Sequence, residues 1–211
     1  MKEGRKEDFN FRELTNGLVL IVNDRNLLPM KKVFRHEVDD NAILACGYID
    51  HTAGITFEAL CLAEYEPNGH ITLRKGNDTT SMKLRYDGID GIILLFDDEI
   101  LPTYQKKIDM VRDGYQVNKA ILKARNTVAI DDFRHPQFPD DVLLIFYQRG
   151  VQPEGIWCRI ESELEGRPAA MLMNEPNSNF GVHKGDIVLF DWAKQDEKMI
   201  GIAKLPWMQG M

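Results

Sequence analysis

The chain has 211 residues, a formal net charge of −7, 44% hydrophobic and 28% charged residues, a profile that fits a soluble globular protein able to bury a core without staples. The acidic balance argues against bulk binding of DNA or RNA, which needs a basic face, and suits attraction to a basic partner. No apolar run approaches the ~18 residues of a membrane span, and the charged start MKEGRKEDFNFRE lacks the apolar core of a signal peptide, so a cytoplasmic protein is expected.

Residues 17–24, GLVLIVND, form a continuous apolar run, which predicts a strand buried on both faces. Runs 41–50 and 54–66 follow, the second offering Ile55, Phe57, Ala59 and Cys61 on one side. PNGH (67–70) reads as a turn, because Asn and Gly accept positive φ. Residues 71–88 read as two strands around a KGND turn (75–78), with Ile71/Leu73 and Met82/Leu84/Tyr86 pointing inward. GIILLF (91–96) is one more buried run, and the whole predicts a mostly antiparallel sheet.

The character changes at residues 101–126. Tyr104, Ile108, Val111, Tyr115 and Leu122 recur near one helical stripe, and Pro102 suits a first turn, so one long helix is expected over about 101–125. Gly114 costs about 1 kcal/mol inside a helix and marks the place for a kink or a break. The segment is basic, with six Lys/Arg (106, 107, 112, 119, 123, 125) against Asp109 and Asp113. It reads as a helix docked near acidic sheets or as a solvated face. DDFRHPQFPDD (131–141) has two prolines and no periodicity, and reads as a linker or ordered loop. Five short runs follow, at 142–148, 155–164, 167–174, 186–193 and 198–205, and predict a small SH3-like barrel or curved sheet. The expected fold class is α+β in two domains, residues 1–126 and 141–211, with 127–140 between them.

Chemistry-bearing residues are scattered. Cys46, Cys61 and Cys158 form no CxxC, and the first two lie in apolar runs, so buried small hydrophobes without a disulfide are expected. The densest polar stretch is NEPNSNFGVHKGDIVLF (174–190). A phosphate cradle needs G-x-x-x-x-G-K-[ST] leading into a helix, whereas Gly185 and Asp186 lead into a strand and Asp186 repels phosphate. His183 and Asp186, with Glu175 upstream, make a weak metal spacing. Better ligand sets are His36, Glu37, Asp39 and Asp40, or Asp131, Asp132, His135, Asp140 and Asp141, although polar loops of this kind are commonly solvated turns. No cofactor and no stoichiometric metal are expected. What remains for the 174–190 loop is a structural turn, tight at Gly185, closed by the Asp186 carboxylate and continued into a strand by Ile187–Phe190.

No G-x-S-x-G elbow is present, and Asp97/Asp98, Asp131/Asp132 and Asp140/Asp141 would point to opposite faces of a strand. Trp157, Trp192 and Trp207 cluster near the C-terminus; Trp157 is expected in a barrel core or closing contact.

Glu154, Trp157, Arg159, Leu172, Asn174, Pro176, Gly185, Asp186, Val188 and Phe190 follow one another in a recognisable order. An acidic residue precedes a strand Trp, then comes a G-x-L-x-N-x-P element, then GD-x-V-x-F. This pattern resembles a widespread uncharacterised bacterial domain and is similar to the immunity-protein domains of bacterial toxin systems. Ala169-Ala170-Met171 stands where that family has a Gly before L-x-N. The resemblance runs from about residue 150 to 205 and does not reach the first 125 residues. It implies a non-enzymatic protein-binding module, of immunity or regulatory type, whose partner is another protein. Glu154, Trp157, Asn174, Pro176, His183 and Asp186 are the candidate loop or partner-surface residues. The alternative is a metal-dependent or hydrolytic enzyme using the His/Asp loop 131–141.

Overall fold

The structure, a computed structural model, describes residues 2–76, 79–96, 101–195 and 198–205. Asp97, Asp98, Trp207 and the second half of the expected KGND turn lie outside the described residues. The chain divides into two compact units, Met1–Gln116 and Val117–Met211. No helix of the described residues is long and apolar enough to cross a membrane.

The first unit is a sheet of β1 (Glu3–Gly4), β2 (Leu18–Val22), β3 (Ala42–Asp50), β4 (Gly54–Tyr65), β5 (Ile71–Leu73), β6 (Lys83–Arg85) and β7 (Ile92–Leu95). The spatial order is β1-β7-β2-β3-β4-β5, with β6 also on β4, and the pairings are antiparallel. Short helices α1 (Phe11–Thr15) and α2 (Leu27–Lys31) sit in its connections, and α3 (Leu101–Gly114) follows β7. The continuous apolar runs make central strands because both faces are covered. One face joins Leu14, Val19, Ile21, Ile43, Ile55, Phe57 and Ala59. The other joins Leu18, Leu20, Leu44 and Leu60 to Tyr104 and Ile108 of α3.

Cys61 was expected beside Ile55, Phe57 and Ala59, but it lies in the other core. Leu44 pairs with Cys61 while Ala45 pairs with Ala59, so Leu60 is an extra residue in β4. Such a bulge reverses the alternation of every side chain beyond it.

The long helix expected over 101–125 is two helices, and this overturns the fold class drawn from it. Helix α3 stops at Gly114, and α4 (Lys119–Asn126) starts after Asn118. The Asn118 side-chain oxygen accepts the backbone N–H groups of Ala120 and Ile121 at 3.0 and 3.1 Å, an N-cap that begins a new helix. Leu122, placed on the apolar stripe by an uninterrupted period, is 51% exposed. The protein is mostly β, with short helices, rather than α+β around a long helix.

Helix α4 and residues 127–140, read from sequence as a domain end and a connecting loop, belong to the compact second unit. After a 3-10 turn (Val128–Phe133) come β8 (Asp141–Gln148), β9 (Val151–Leu164), β10 (Arg167–Leu172), β11 (Ile187–Gln195) and β12 (Lys198–Lys204). Consecutive strands pair antiparallel and β12 closes on β8, giving a closed barrel. Five strands run up and down in turn, so the first and last point the same way. Their closing pair is accordingly parallel, at Gly201–Leu144 and Ile202–Ile145. The β9–β10 turn uses Glu165 (φ 54°) and Gly166 (φ 76°), both left-handed, which matches the twist of a two-residue hairpin. Leu144, Phe146, Ile156, Cys158, Phe180 and Phe190 are among the side chains filling the barrel. Gly201 pairs with Trp192, and a side chain there would overlap Leu144 and press on the indole. The glycine therefore gives the Trp192 ring its seat. All three thiols are buried, and burial pushes Cys46 and Cys61 up to about 11 and Cys158 up to about 12. None is a reactive thiolate at neutral pH.

Candidate functional site

The loop at 174–186 turns most of its polar groups on itself. The Glu154 carboxylate accepts the Asn177 N–H at 3.0 Å, its side-chain amide at 2.7 Å and the Ser178 N–H at 3.2 Å. Those bonds, the Asn177 N–H foremost, hold the Glu154 pKa below its ordinary value. Asn174 accepts the Trp157 N–H at 3.1 Å. Glu175 meets His183 Nδ1 at 2.7 Å and accepts the Lys184 N–H at 2.8 Å. Asp186 accepts the His183 N–H at 2.8 Å, and Gly185 donates to the Leu172 carbonyl at 2.9 Å from φ 91°. Phe180 and Val182 anchor the loop in the barrel core, and Pro176 is half-buried. The structure thus brings Glu154, Asn174, Trp157, His183 and Asp186 to one folded loop, as carboxylates and amides closing turns.

The loop variants follow from these bonds. Gly185→Val should destabilise by about 1–3 kcal/mol, since a β-branched residue is placed at left-handed φ. Asp186→Ala should cost about 1 kcal/mol for its lost turn bond. His183 has a partner that the sequence did not reveal, but both groups are exposed, so His183→Ala should leave the melting temperature nearly unchanged. The pair has a pH signature. Glu175 raises the His183 pKa above its ordinary 6.5, and His183 lowers the Glu175 pKa below its ordinary 4.5. The histidine's contribution is full below 6.5 and fades as pH rises through its raised value. The glutamate's is full above 4.5 and fades as pH falls through its lowered value. Both are complete between 4.5 and 6.5, and NMR titration of His183 in wild type and Glu175→Gln checks the direction.

The alternative site at 131–141 is held together by three arginines and a lysine. Asp131 pairs with Arg134 at 2.9 Å, Asp132 with Lys198 at 3.0 Å, Asp140 with Arg125 through two bonds of 2.8 and 2.7 Å, and Asp141 with Arg159. Arg134 also donates to the carbonyls of Ala124 and Pro139, closing the loop over α4. The His135 Nδ1 faces the N–H groups of Gln137 and Phe138 at 3.2 and 3.3 Å, and its ring meets Trp157 edge-on at 5.2 Å. Each aspartate faces a cation rather than another ligand, and among the described residues no three His, Cys, Asp or Glu side chains converge to hold a metal. In the first unit Asp40 pairs with Arg74 at 2.7 Å and accepts the Glu37 N–H, while His36 faces the Phe34 carbonyl, so that stretch too is a closed turn.

A concave site lies in a cleft between α4 and the barrel, about 230 Å³ in volume. Ala120, Ala124 and Thr127 line the helix side at spacings of four and three. These small residues leave space instead of filling it. Ile160, Pro168, Phe190 and Trp192 form the barrel side, with Ile130 behind them. Phe190 meets Trp192 edge-on at 5.1 Å, so the floor is a fixed aromatic pair. Lys123 and Glu163 stand at the lining, both exposed. Neighbouring charges pair with one another, Arg125 with Asp140 and Lys204 with Asp191. Lys123 and Glu163 take no ion pair among the described residues. The lining contains no His, Cys or Ser, and the Thr127 hydroxyl already donates to the Lys123 carbonyl at 2.8 Å. The arrangement can hold an apolar group and carries no nucleophile–base pair.

No family model, curated protein or solved structure matches the chain.

Proposed function

We propose that the protein is a non-enzymatic binding module, and that its second unit grips a side chain of a partner protein in the cleft between α4 and the barrel. The observation that carries this reading is the cleft itself: an apolar, aromatic-floored space of about 230 Å³ flanked by Lys123 and Glu163, which take no ion pair among the described residues. Sites for drug-sized ligands and cofactors span about 300–1,000 Å³. The smaller space suits one large apolar side chain, the kind of buried anchor that dominates protein interfaces. Lys123 and Glu163 would then orient the partner's charged neighbours. The net charge of −7 favours encounter with a basic partner, and three buried free thiols suit a reducing cytoplasm. An immunity-type or regulatory role is the specific form implied by the C-terminal resemblance.

Filling the cleft tests the reading. Ala120→Phe places a ring in the space from the half-buried helix side, with the barrel left intact. N-acetyl-phenylalanine amide should quench or shift Trp192 fluorescence saturably in wild type and not in Ala120→Phe, with the melting temperatures alike. Equal titrations in the two proteins, or none in wild type, would rule the cleft out.

A further inference from the structure

The first unit holds a second polar site, on the sheet face that α3 covers. Along that face the apolar residues of β3 and β4 give way to Tyr48, Thr56 and Glu58. The register sets Tyr48 opposite Thr56, and Thr56 opposite Arg85 of β6; Glu58 stands opposite Lys83. Tyr115, just beyond α3, lays its ring against that of Tyr48 with centroids 4.4 Å apart.

The charges in this cluster do not balance. Glu58 is buried and matched by Lys107 at 3.5 Å. Asp50 is matched by Arg85 at 3.0 Å, and the same Arg85 nitrogen donates to the Thr56 hydroxyl at 2.6 Å. Lys83 has no carboxylate partner among the described residues. Its ammonium is held 2.6 Å from the Tyr115 hydroxyl, and it takes part in no ion pair among the described residues. Beside it the Tyr48 side chain is only 6% exposed, and its hydroxyl, which interacts with Tyr115, makes no hydrogen bond of ordinary geometry among the described residues. A buried orphan hydroxyl is uncommon and calls for a missing partner. Here it lies next to a cation that lacks an anion.

We propose that Tyr48, Lys83, Arg85 and Tyr115 form a binding site for the carboxylate group of a small organic acid. Lys83 supplies the uncompensated charge, and the Tyr48 hydroxyl supplies a donor. Arg85 has guanidinium N–H groups beyond the one that serves Asp50 and Thr56. One spare positive charge matches a carboxylate. A phosphate dianion would add a second negative charge close to Asp50. The two tyrosine rings offer an apolar wall for the body of the acid, so an aryl acid should bind better than acetate.

The competing account is that Tyr115 supplies the anion itself, as a phenolate. Lys83, and after it Tyr48, do lower the Tyr115 pKa. Ionisation at neutral pH would nevertheless need about a thousandfold gain in acidity over an ordinary tyrosine. A solvent-screened ammonium does not supply that.

Amide NMR of the full chain, titrated with benzoate, acetate and inorganic phosphate at constant ionic strength, tests the site. Saturable shifts are expected near Tyr48, Thr56, Lys83–Arg85 and Tyr115, with benzoate tighter than acetate and phosphate weakest. Lys83→Met should weaken benzoate by about tenfold or more, for loss of a charged donor. Tyr48→Phe should weaken it by a smaller factor with the spectrum otherwise unchanged. Non-saturating shifts, equal binding by Lys83→Met, or phosphate binding tightest would each overturn the proposal. So would tyrosinate absorbance at pH 7 that disappears in Tyr115→Phe.

Discussion

Asp141→Ala is expected to destabilise the second unit by about 3–5 kcal/mol, the cost of leaving a buried charge without its partner. Asp141 and Arg159 are 5% and 7% exposed, and their two bonds are 2.6 and 3.0 Å long. Burial pulls the Arg159 pKa down, but the Asp141 carboxylate more than offsets this, and the net direction is up. Without the aspartate the guanidinium stays buried and charged and loses the foremost of its neutralising partners. For a unit of this size the change corresponds to a fall in melting temperature on the order of 15 °C or more. Replacing both partners, as Asp141→Leu with Arg159→Met, should recover most of the loss, because a buried pair is worth little against apolar packing of similar volume. Thermal and urea denaturation of the full chain measure both variants. A stable Asp141→Ala protein would mean that water reaches the guanidinium and that the barrel end is more open than described. The same comparison bears on the enzyme reading of residues 131–141: an aspartate needed to keep an arginine neutralised is already committed and cannot also serve as a free general base.

Much of the strand content was legible because apolar runs and turn residues act locally. GLVLIV, NAILACGYID and the five C-terminal runs all became strands close to their expected limits. What was not legible depended on pairing across distance. The bulge at Leu60 has no local signature, yet it decides which core receives Cys61. The break between α3 and α4 had local signals: Gly114 was read as the place for a kink or a break, but the helical period ran through the capping Asn118 and masked it. At the site level, sequence placed Gly185 and Asp186 correctly in a tight turn. Glu154 as the cap of Asn177 lies 23 residues away and needs the barrel to bring it there. Most of the aspartates of 131–141 looked like ligands because their cationic partners stand outside that stretch, as Arg159 stands 18 residues from Asp141; only Asp131 has its partner, Arg134, close by in sequence. The cleft was invisible for a related reason. Its two walls are α4 and the β9–β11 region, and only the fold places Ala120 and Ala124 opposite Trp192.

Gly47→Ala should be the most damaging single methyl in the first unit. Gly47 lies in β3 where α1 packs against the sheet, and a Cβ built there would fall on the Leu14 carbonyl oxygen, with the Thr15 Cα at 3.2 Å. The obstacle is backbone, so no rotamer change relieves it. Either α1 lifts from the sheet or β3 bends. Leu14 is 1% exposed in the core beneath α1, so lifting the helix also opens apolar contacts. A loss near 3 kcal/mol is expected, the upper part of the range for overpacking. Gly17→Ala is the matched control. It lies just before β2, has nothing within 4 Å of a built Cβ and needs no left-handed φ. Its effect should stay within about 0.5 kcal/mol. A second substitution separates backbone from side-chain obstruction. If the clash were with a side chain, trimming Leu14 would relieve it. Because the carbonyl oxygen is the obstacle, Leu14→Ala should add its own cavity cost of about 2–5 kcal/mol instead of rescuing Gly47→Ala. Denaturation of the three variants and the double mutant decides it. A Gly47→Ala protein within 1 kcal/mol of wild type, or rescue by Leu14→Ala, would show that α1 is not seated on the glycine as the structure has it.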